Sequence, residues 1–101
     1  MPTYKAPIDD VNFLFNDVFQ IDRYNNLAGF SDASADVREA ILGEAAKFAE
    51  EVLQPLNRVG DLEGCVRHDD GRVTTPKGFK EAFKQFADGG WLGLSAPVEF
   101  G

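Results

Sequence analysis

Apolar residues that recur at steps of three and four through the middle of the chain place the strongest limit on its fold. This spacing puts them on one side of a helix and is typical of a long amphipathic α-helix. The residues are Val37, Ile41, Ala45, Phe48, Val52, Leu56 and Val59. Pro55 lies within the series and lacks the N–H that a helix interior uses, so a kink or break is predicted near residues 52–54. Gly60 is predicted to end this long Pro-kinked helix.

A shorter helical pattern follows Pro7 near the N-terminus. Its apolar positions are Val11, Leu14, Phe15 and Val18. Asp9 or Asp10 is predicted to cap the helix, because a carboxylate can accept a free N–H of the first turn. Phe13 and Phe19 extend the apolar side beyond what a lone helix buries, so we expect this helix to pack on a partner surface.

The second half of the chain predicts a short β-hairpin and a third helix. Residues 65–73 indicate two very short strands around an Asp-Gly turn. Thr75 is predicted to cap the third helix, with Pro76 at its first position and Gly89-Gly90 at its end. Its apolar face consists of Phe79, Ala82, Phe83 and Phe86. The predicted fold is therefore mainly α.

Charge and composition exclude several classes of partner. The chain has 101 residues, with 17 acidic and 10 basic side chains and a net charge of -7. Such a chain is repelled by phosphate backbones and anionic membrane surfaces, so no nucleic-acid partner is expected. No apolar run approaches the roughly 20 residues that span a bilayer. Cys65 has no second cysteine to pair with and no leader pattern is present, which predicts a cytoplasmic location.

Side chains of the kinds found in metal sites and nucleophilic sites lie close together in the sequence, at Cys65, His68 and Asp69. A structural zinc site needs about four ligands, and a nucleophile needs a positioned base. Because the chain holds one cysteine and one histidine, we interpret His68 as a solvated turn residue. The sequence predicts no metal site.

The glycines Gly89, Gly90 and Gly93 have two interpretations. Phosphate-binding glycines precede the helix that receives the phosphate, whereas these follow a predicted helix. A glycine C-cap with close packing beside Trp91 is therefore favoured. A contribution to a neighbouring ligand pocket is the alternative.

Two further side-chain sets are interpreted structurally. Lys77, Lys80 and Lys84 follow at steps of three and four along the third helix. They form either a solvated basic edge, which is favoured, or an attractant for an anionic ligand such as a phosphate. The phenylalanines are interpreted as core and interface rather than as a cofactor site: Phe13, Phe15, Phe19, Phe79, Phe83 and Phe86.

Residues 89–101, GGWLGLSAPVEFG, resemble the stretch that follows an early helix in acyl-CoA dehydrogenases. The family's stretch closes on two glycines, and here the second is missing. Residues 1–7, 48–64 and 73–80 are similar to the opening of one long bacterial subgroup, which has an extra N-terminal helix. The resemblance thus runs along the whole chain. We expect the chain to be a fragment, because it stops within the motif.

The resemblance implies two parts: residues 1–30 as an N-terminal extension helix and connection, and residues 31–101 as an incomplete acyl-CoA dehydrogenase N-terminal helical domain. The family implies FAD, an acyl-CoA substrate, an electron-transfer partner and a homo-oligomer for the full-length protein. In the family, a glutamate of the C-terminal bundle removes the α proton while the β hydrogen leaves as hydride to the flavin. No position here matches that glutamate or the flavin-contacting segments. No catalytic or cofactor-binding residue is therefore assigned, and the 101-residue chain alone is expected to be inactive and free of FAD.

In the family, the N-terminal domain shapes one wall of the acyl site. The segment expected to lie nearest the ligand here contains Trp91, Leu94, Pro97 and Phe100. The alternative function, from a different class, is a free-standing helical interaction module whose Phe-rich first helix docks a partner or a second copy.

Overall fold

The computed structural model describes residues 3–100, most of which are helical. This part of the chain contains three α-helical stretches and one two-stranded antiparallel sheet. The predicted mainly-α fold is therefore confirmed. Contacts group the described residues into two compact units, the first ending at Gln54 and the second beginning at Pro55.

The first helix, α1 (Ile8–Phe13), passes directly into a π-helical turn at Leu14–Val18. The predicted cap is wrong: Asp9 and Asp10 lie in the first turn, and no side chain caps the helix. Pro7 already has no N–H to satisfy, and the helix begins directly after it. The two carboxylates still stabilise α1, because they lie near the positive end of its dipole.

The apolar side of α1 is broader than the surface it packs against. Ile8, Val11 and Phe15 are half-buried, and α1 contacts the following helix. The remaining large apolar side chains of this region are exposed: Phe13, Leu14, Val18 and Phe19. An excess of apolar surface on the first helix is thus confirmed.

The long helical stretch runs over residues 35–63. It consists of α2 (Ala35–Phe48), a π-helical turn at Ala49–Leu53 and α3 (Gln54–Glu63). The Ser34 hydroxyl caps α2 by accepting the Val37 N–H at 3.4 Å. The predicted disturbance near Pro55 takes the form of the π-helical turn, and the stretch stays helical throughout. A π turn redistributes backbone hydrogen bonds where a proline supplies no donor.

Arg38 of α2 joins three other segments of the first unit. Its Nη1 donates to Asp22 Oδ1 at 3.1 Å and to the carbonyl of Ala33 at 2.6 Å. Its Nη2 donates to Asn16 Oδ1 at 3.1 Å. The side chain is only 10% exposed. One planar guanidinium therefore fixes three segments against α2: the π-helical turn, the 3₁₀ turn at Ile21–Tyr24 and the connection at Ala33.

The prediction that Gly60 ends the long helix is wrong, because the helix continues to Glu63. Gly64 ends it instead, with φ +63° and an N–H that donates to the Gly60 carbonyl at 2.9 Å. Gly60 has a packing role: a Cβ there would lie 2.6 Å from Phe79 Cζ. Its missing side chain lets the Phe79 ring approach the helix backbone.

The predicted hairpin is confirmed by strands β1 (Val66–Arg67) and β2 (Val73–Thr74), which pair antiparallel. Val66 lies opposite Thr74 in the register. The turn between the strands contains Gly71 at φ +89°, which the Asp-Gly pattern predicts.

The third predicted helix is α4 (Phe79–Asp88), and its predicted start is wrong. Gly78 precedes the helix at φ +91°, so a helix could not continue through it from Pro76. The Lys77 N–H, which a cap at Thr75 would accept, donates instead to Glu63 Oε2 at 2.8 Å. Thr75 therefore does not cap the helix. Lys77 therefore lies outside the helix. The predicted end is confirmed, because Gly89 follows directly as the C-cap.

Buried side chains are few in the described residues. Ala82 is the buried apolar residue, and Pro76 is also buried. Phe79 and Phe86 are half-buried, whereas Phe83 is exposed. Phe79 and Phe86 therefore pack as predicted, whereas Phe83 lies on the outer side. An interface role for the phenylalanines stays a prediction.

We expect Gly60→Ala to lower the free energy of unfolding by about 1–3 kcal/mol, because the new methyl group overlaps the Phe79 ring. Gly43→Ala is the matched control, since Gly43 is also helical and a Cβ there meets no atom within 4 Å. That substitution should raise stability by about 0.4–1 kcal/mol. Urea unfolding followed by circular dichroism measures both. Equal effects of the two substitutions would contradict the packing role of Gly60.

Arg38→Ala should lower the free energy of unfolding by about 2 kcal/mol or more, because it leaves several polar groups without their partner. Arg72→Ala is the control. Arg72 Nε pairs with Asp70 Oδ2 at 2.6 Å, but its side chain is 75% exposed. Loss of such a surface pair should lower the free energy of unfolding much less than Arg38→Ala does. The same urea titration decides the order of the two effects.

Candidate functional site

The candidate site is the segment that follows α4. The N–H of Gly89 donates to the carbonyl of Gln85 at 3.0 Å, and that of Gly90 to Ala87 at 3.0 Å. Gly90 has φ +81°, which lets the chain leave the helix sharply. These glycines therefore lie at the carbonyl end of α4, where the helix dipole disfavours an anion.

Trp91 folds back onto the last turn of α4. A Cβ on Gly89 would lie 2.9 Å from Trp91 Nε1 and 3.3 Å from the Gln85 carbonyl oxygen. Only a residue without a side chain leaves room for the indole there. The favoured interpretation of the cluster, a glycine C-cap with close packing beside Trp91, is confirmed.

The rest of the segment exposes apolar side chains. A short 3₁₀ helix at Trp91–Gly93 is followed by a second at Val98–Phe100, which begins after Pro97. Leu94 is 61% exposed and Phe100 is 80% exposed. Leu92 and Val98 are exposed as well. Of the predicted ligand-proximal residues, Trp91 packs on its own unit, and Leu94, Pro97 and Phe100 face solvent. Their proximity to a ligand stays a prediction.

The hairpin forms no metal centre. Across residues 3–100, no three side chains of the metal-binding types His, Cys, Asp and Glu come together. Cys65 is exposed, and His68 Nε2 lies 2.6 Å from the Thr74 hydroxyl. The backbone N–H of His68 donates to the Arg72 carbonyl at 2.8 Å. His68 is therefore a half-buried part of the hairpin rather than the solvated residue predicted.

The hairpin turn contains Asp70, a carboxyl group whose pKa is lowered by its contacts. The backbone N–H of Arg72 donates to Asp70 Oδ1 at 3.0 Å, and the guanidinium donates to Oδ2. These contacts, the backbone bond first, lower the pKa of Asp70. Both stabilise the ionised form of an exposed carboxylate, so the contacts fix the turn and do not suit a general acid.

Glu50 makes a contact that the sequence did not predict. Its Oε1 accepts the Ala6 N–H at 3.0 Å, which joins the N-terminal segment to the π-helical turn. No periodicity links positions 44 residues apart, so the sequence holds no signal for this pair. Glu50 lines a recess of about 480 Å³ together with Lys5, Asp9 and Asp10.

That recess does not suit an anionic group. Three carboxylates line it against one ammonium group, so a phosphate or pyrophosphate would be repelled. The basic edge predicted on the third helix is reduced to Lys80 and Lys84, because Lys77 precedes α4. Lys84 Nζ lies 2.6 Å from Asp88 Oδ2, which supports the solvated interpretation of this edge.

The described helices include none that is both long and apolar enough to cross a bilayer.

Comparison with known proteins confirms the resemblance to acyl-CoA dehydrogenases. No family model matches the chain. The chain is 39% identical over 99 residues to a curated relative, 3-methylmercaptopropionyl-CoA dehydrogenase of Ruegeria pomeroyi. The match covers 98% of this chain and 17% of the relative. The chain thus spans about a sixth of the length of the relative that it matches.

The hairpin geometry predicts that two groups of Arg72, its backbone N–H and its guanidinium, each lower the pKa of Asp70. Because Asp70 is stabilised as a carboxylate, its contribution to stability is present above its ordinary pKa and is lost as the pH falls through the lowered folded value. Arg72→Ala removes the guanidinium but keeps the backbone N–H. We expect the pKa of Asp70 to rise only part of the way to its ordinary value, as measured by NMR titration of the carboxyl carbon. A pKa unchanged by Arg72→Ala would show that the guanidinium has no part in the shift.

Proposed function

We propose that this chain is the N-terminal helical part of an FAD-dependent acyl-CoA dehydrogenase, which performs α,β-dehydrogenation of an acyl-CoA thioester. The match to a dehydrogenase along 98% of the chain carries the proposal. The mainly helical fold agrees with such a part. The alternative of a free-standing interaction module is not favoured by this relative.

In this proposal the described residues do not hold the flavin. The glycines after α4 lie at the carbonyl end of a helix, and the recess of the first unit is lined by carboxylates. Neither suits the pyrophosphate of FAD. FAD, when bound, supplies the acceptor for the hydride. The flavin site and the catalytic base then belong to the rest of the full-length protein, and the 101-residue chain alone is inactive.

The contribution of this chain is instead a wall of the acyl site. The exposed apolar side chains after Trp91 offer a surface that excludes water from a thioester's acyl chain. Trp91 fixes this segment to α4 through its contact with Gly89. The division into an extension at residues 1–30 and a domain at residues 31–101 is part of the proposal, as are the electron-transfer partner, the homo-oligomer and the cytoplasmic location.

The size of the native product tests the proposal most directly. An antibody raised against these 101 residues should detect a chain much larger than 11.1 kDa in the source cell. That full-length protein should bleach its flavin with an acyl-CoA, and 3-methylmercaptopropionyl-CoA is the first substrate to try. A native product of 11.1 kDa, or flavin reduction by the 101-residue chain alone, would refute the proposal.

Substitutions in the full-length protein test the apolar wall. Leu94→Ala should raise the KM for acyl-CoA by about tenfold, because it removes apolar contact worth roughly 1–3 kcal/mol. Trp91→Ala should also raise the KM, because it releases the segment from α4. Leu62→Ala is the control, since Leu62 lies on α3 and is 70% exposed. Flavin content and melting temperature separate a binding defect from misfolding. If KM, flavin content and turnover all stay at their original values in both variants, the segment is not near the ligand.

A further inference from the structure

The backbone conformation at Gly89 does not itself require glycine. Gly89 is the C-cap of α4 at φ -75° and ψ -6°, which residues with a side chain also adopt. The left-handed turn that takes the chain out of the helix falls on the next residue, Gly90, at φ +81°. Alanine has the higher helix propensity, so glycine at position 89 gives α4 no advantage. Its missing side chain therefore serves something other than the backbone.

The indole of Trp91 uses the space that a side chain at position 89 would fill. A Cβ on Gly89 would lie 2.9 Å from Trp91 Nε1 and 3.0 Å from Cδ1. Non-bonded carbon atoms normally keep about 3.5–4.0 Å apart. The carbonyl oxygen of Gln85, 3.3 Å from that Cβ, is held in the helix by the Gly89 N–H at 3.0 Å. The indole can turn about its side-chain torsions, so a methyl group at position 89 displaces the indole away from α4.

A displacement of the indole changes the apolar surface of the segment after α4. Trp91 is half-buried and begins the 3₁₀ helix at Trp91–Gly93. Its carbonyl accepts the Leu94 N–H at 3.4 Å. Leu92 and Leu94 are 63% and 61% exposed. The indole and the two leucines thus belong to one short turn of the chain, and the contact at Gly89 fixes where that turn lies against α4.

We propose that the missing side chain at position 89 sets the length of the acyl chain that the full-length protein accepts. This inference rests on the proposed function, in which the segment after α4 forms a wall of the acyl site. With glycine at position 89, the indole lies against α4 and leaves room for a longer chain beside the wall. A larger residue moves the indole into that room. Gly89 is thus a positioning residue that acts through Trp91.

Gly89→Ala in the full-length protein tests the inference, with kcat/KM measured for butyryl-CoA, hexanoyl-CoA and octanoyl-CoA. For the longest of these that the original protein oxidises, we expect kcat/KM to fall by about tenfold, the discrimination that one methylene gives in an apolar pocket. The value for butyryl-CoA should fall much less, because a short chain does not reach the displaced indole. Gly43→Ala is the control, since a Cβ there meets no atom within 4 Å. It should leave the ratio of long-chain to short-chain kcat/KM unchanged.

Trp91→Phe relieves the same contact from the other side. The smaller ring takes less of the room beside the wall, so the ratio of kcat/KM for octanoyl-CoA to that for butyryl-CoA should rise. In the double variant with Gly89→Ala, the added methyl group should lose most of its effect, because the smaller ring no longer competes for its space. Additive effects of the two substitutions would overturn the inference, since residue 89 would then not act through Trp91.

Flavin content and melting temperature show whether each variant is folded. If Gly89→Ala does not fold, Trp91→Phe decides alone: a higher ratio supports the inference and an unchanged ratio overturns it. A full-length protein that oxidises no acyl-CoA refutes the proposed function, and the inference with it. If the protein oxidises acyl-CoA but Gly89→Ala lowers kcat/KM equally for every chain length, the inference alone is overturned.

Discussion

One guanidinium holds the first unit together. Arg38 reaches an amide, a carboxylate and a carbonyl on three segments that differ in conformation. Apolar burial there is sparse, so directional hydrogen bonds to a nearly buried charge fix the segments that packing alone would leave unplaced. Removal of that charge therefore affects several segments of the unit, because the π-helical turn and the 3₁₀ turn at Ile21–Tyr24 reach α2 partly through it.

The second unit uses glycine for the same purpose. The Phe79 ring approaches α3 where Gly60 has no side chain, and Leu56 approaches the backbone at Gly78. These two contacts bring α3 and the start of α4 together with little buried volume. Gly60 lowers the helix propensity of α3, but its missing side chain allows this close approach.

Periodicity predicted the helices, the hairpin and the end of α4, because each of these follows from local spacing and turn chemistry. It failed where a distant partner decides the local structure. The prediction that Gly60 ends a helix fails because the glycine serves the approach of Phe79, which lies far along the chain. The predicted start of α4 fails because the Lys77 N–H donates to Glu63. The contact of Glu50 with Ala6 left no trace in the sequence. The proposed acyl wall came from family resemblance, since no spacing in the chain indicates a ligand.

The position of Trp91 has a practical consequence. It is the chain's one tryptophan, whereas both tyrosines, Tyr4 and Tyr24, belong to the first unit. Its indole lies against the last turn of α4, where exposure to water changes as soon as that turn opens. Intrinsic fluorescence excited selectively at the indole therefore reports the unfolding of the second unit alone, and the tyrosine emission reports that of the first. The chain contains its own pair of optical reporters, one for each unit.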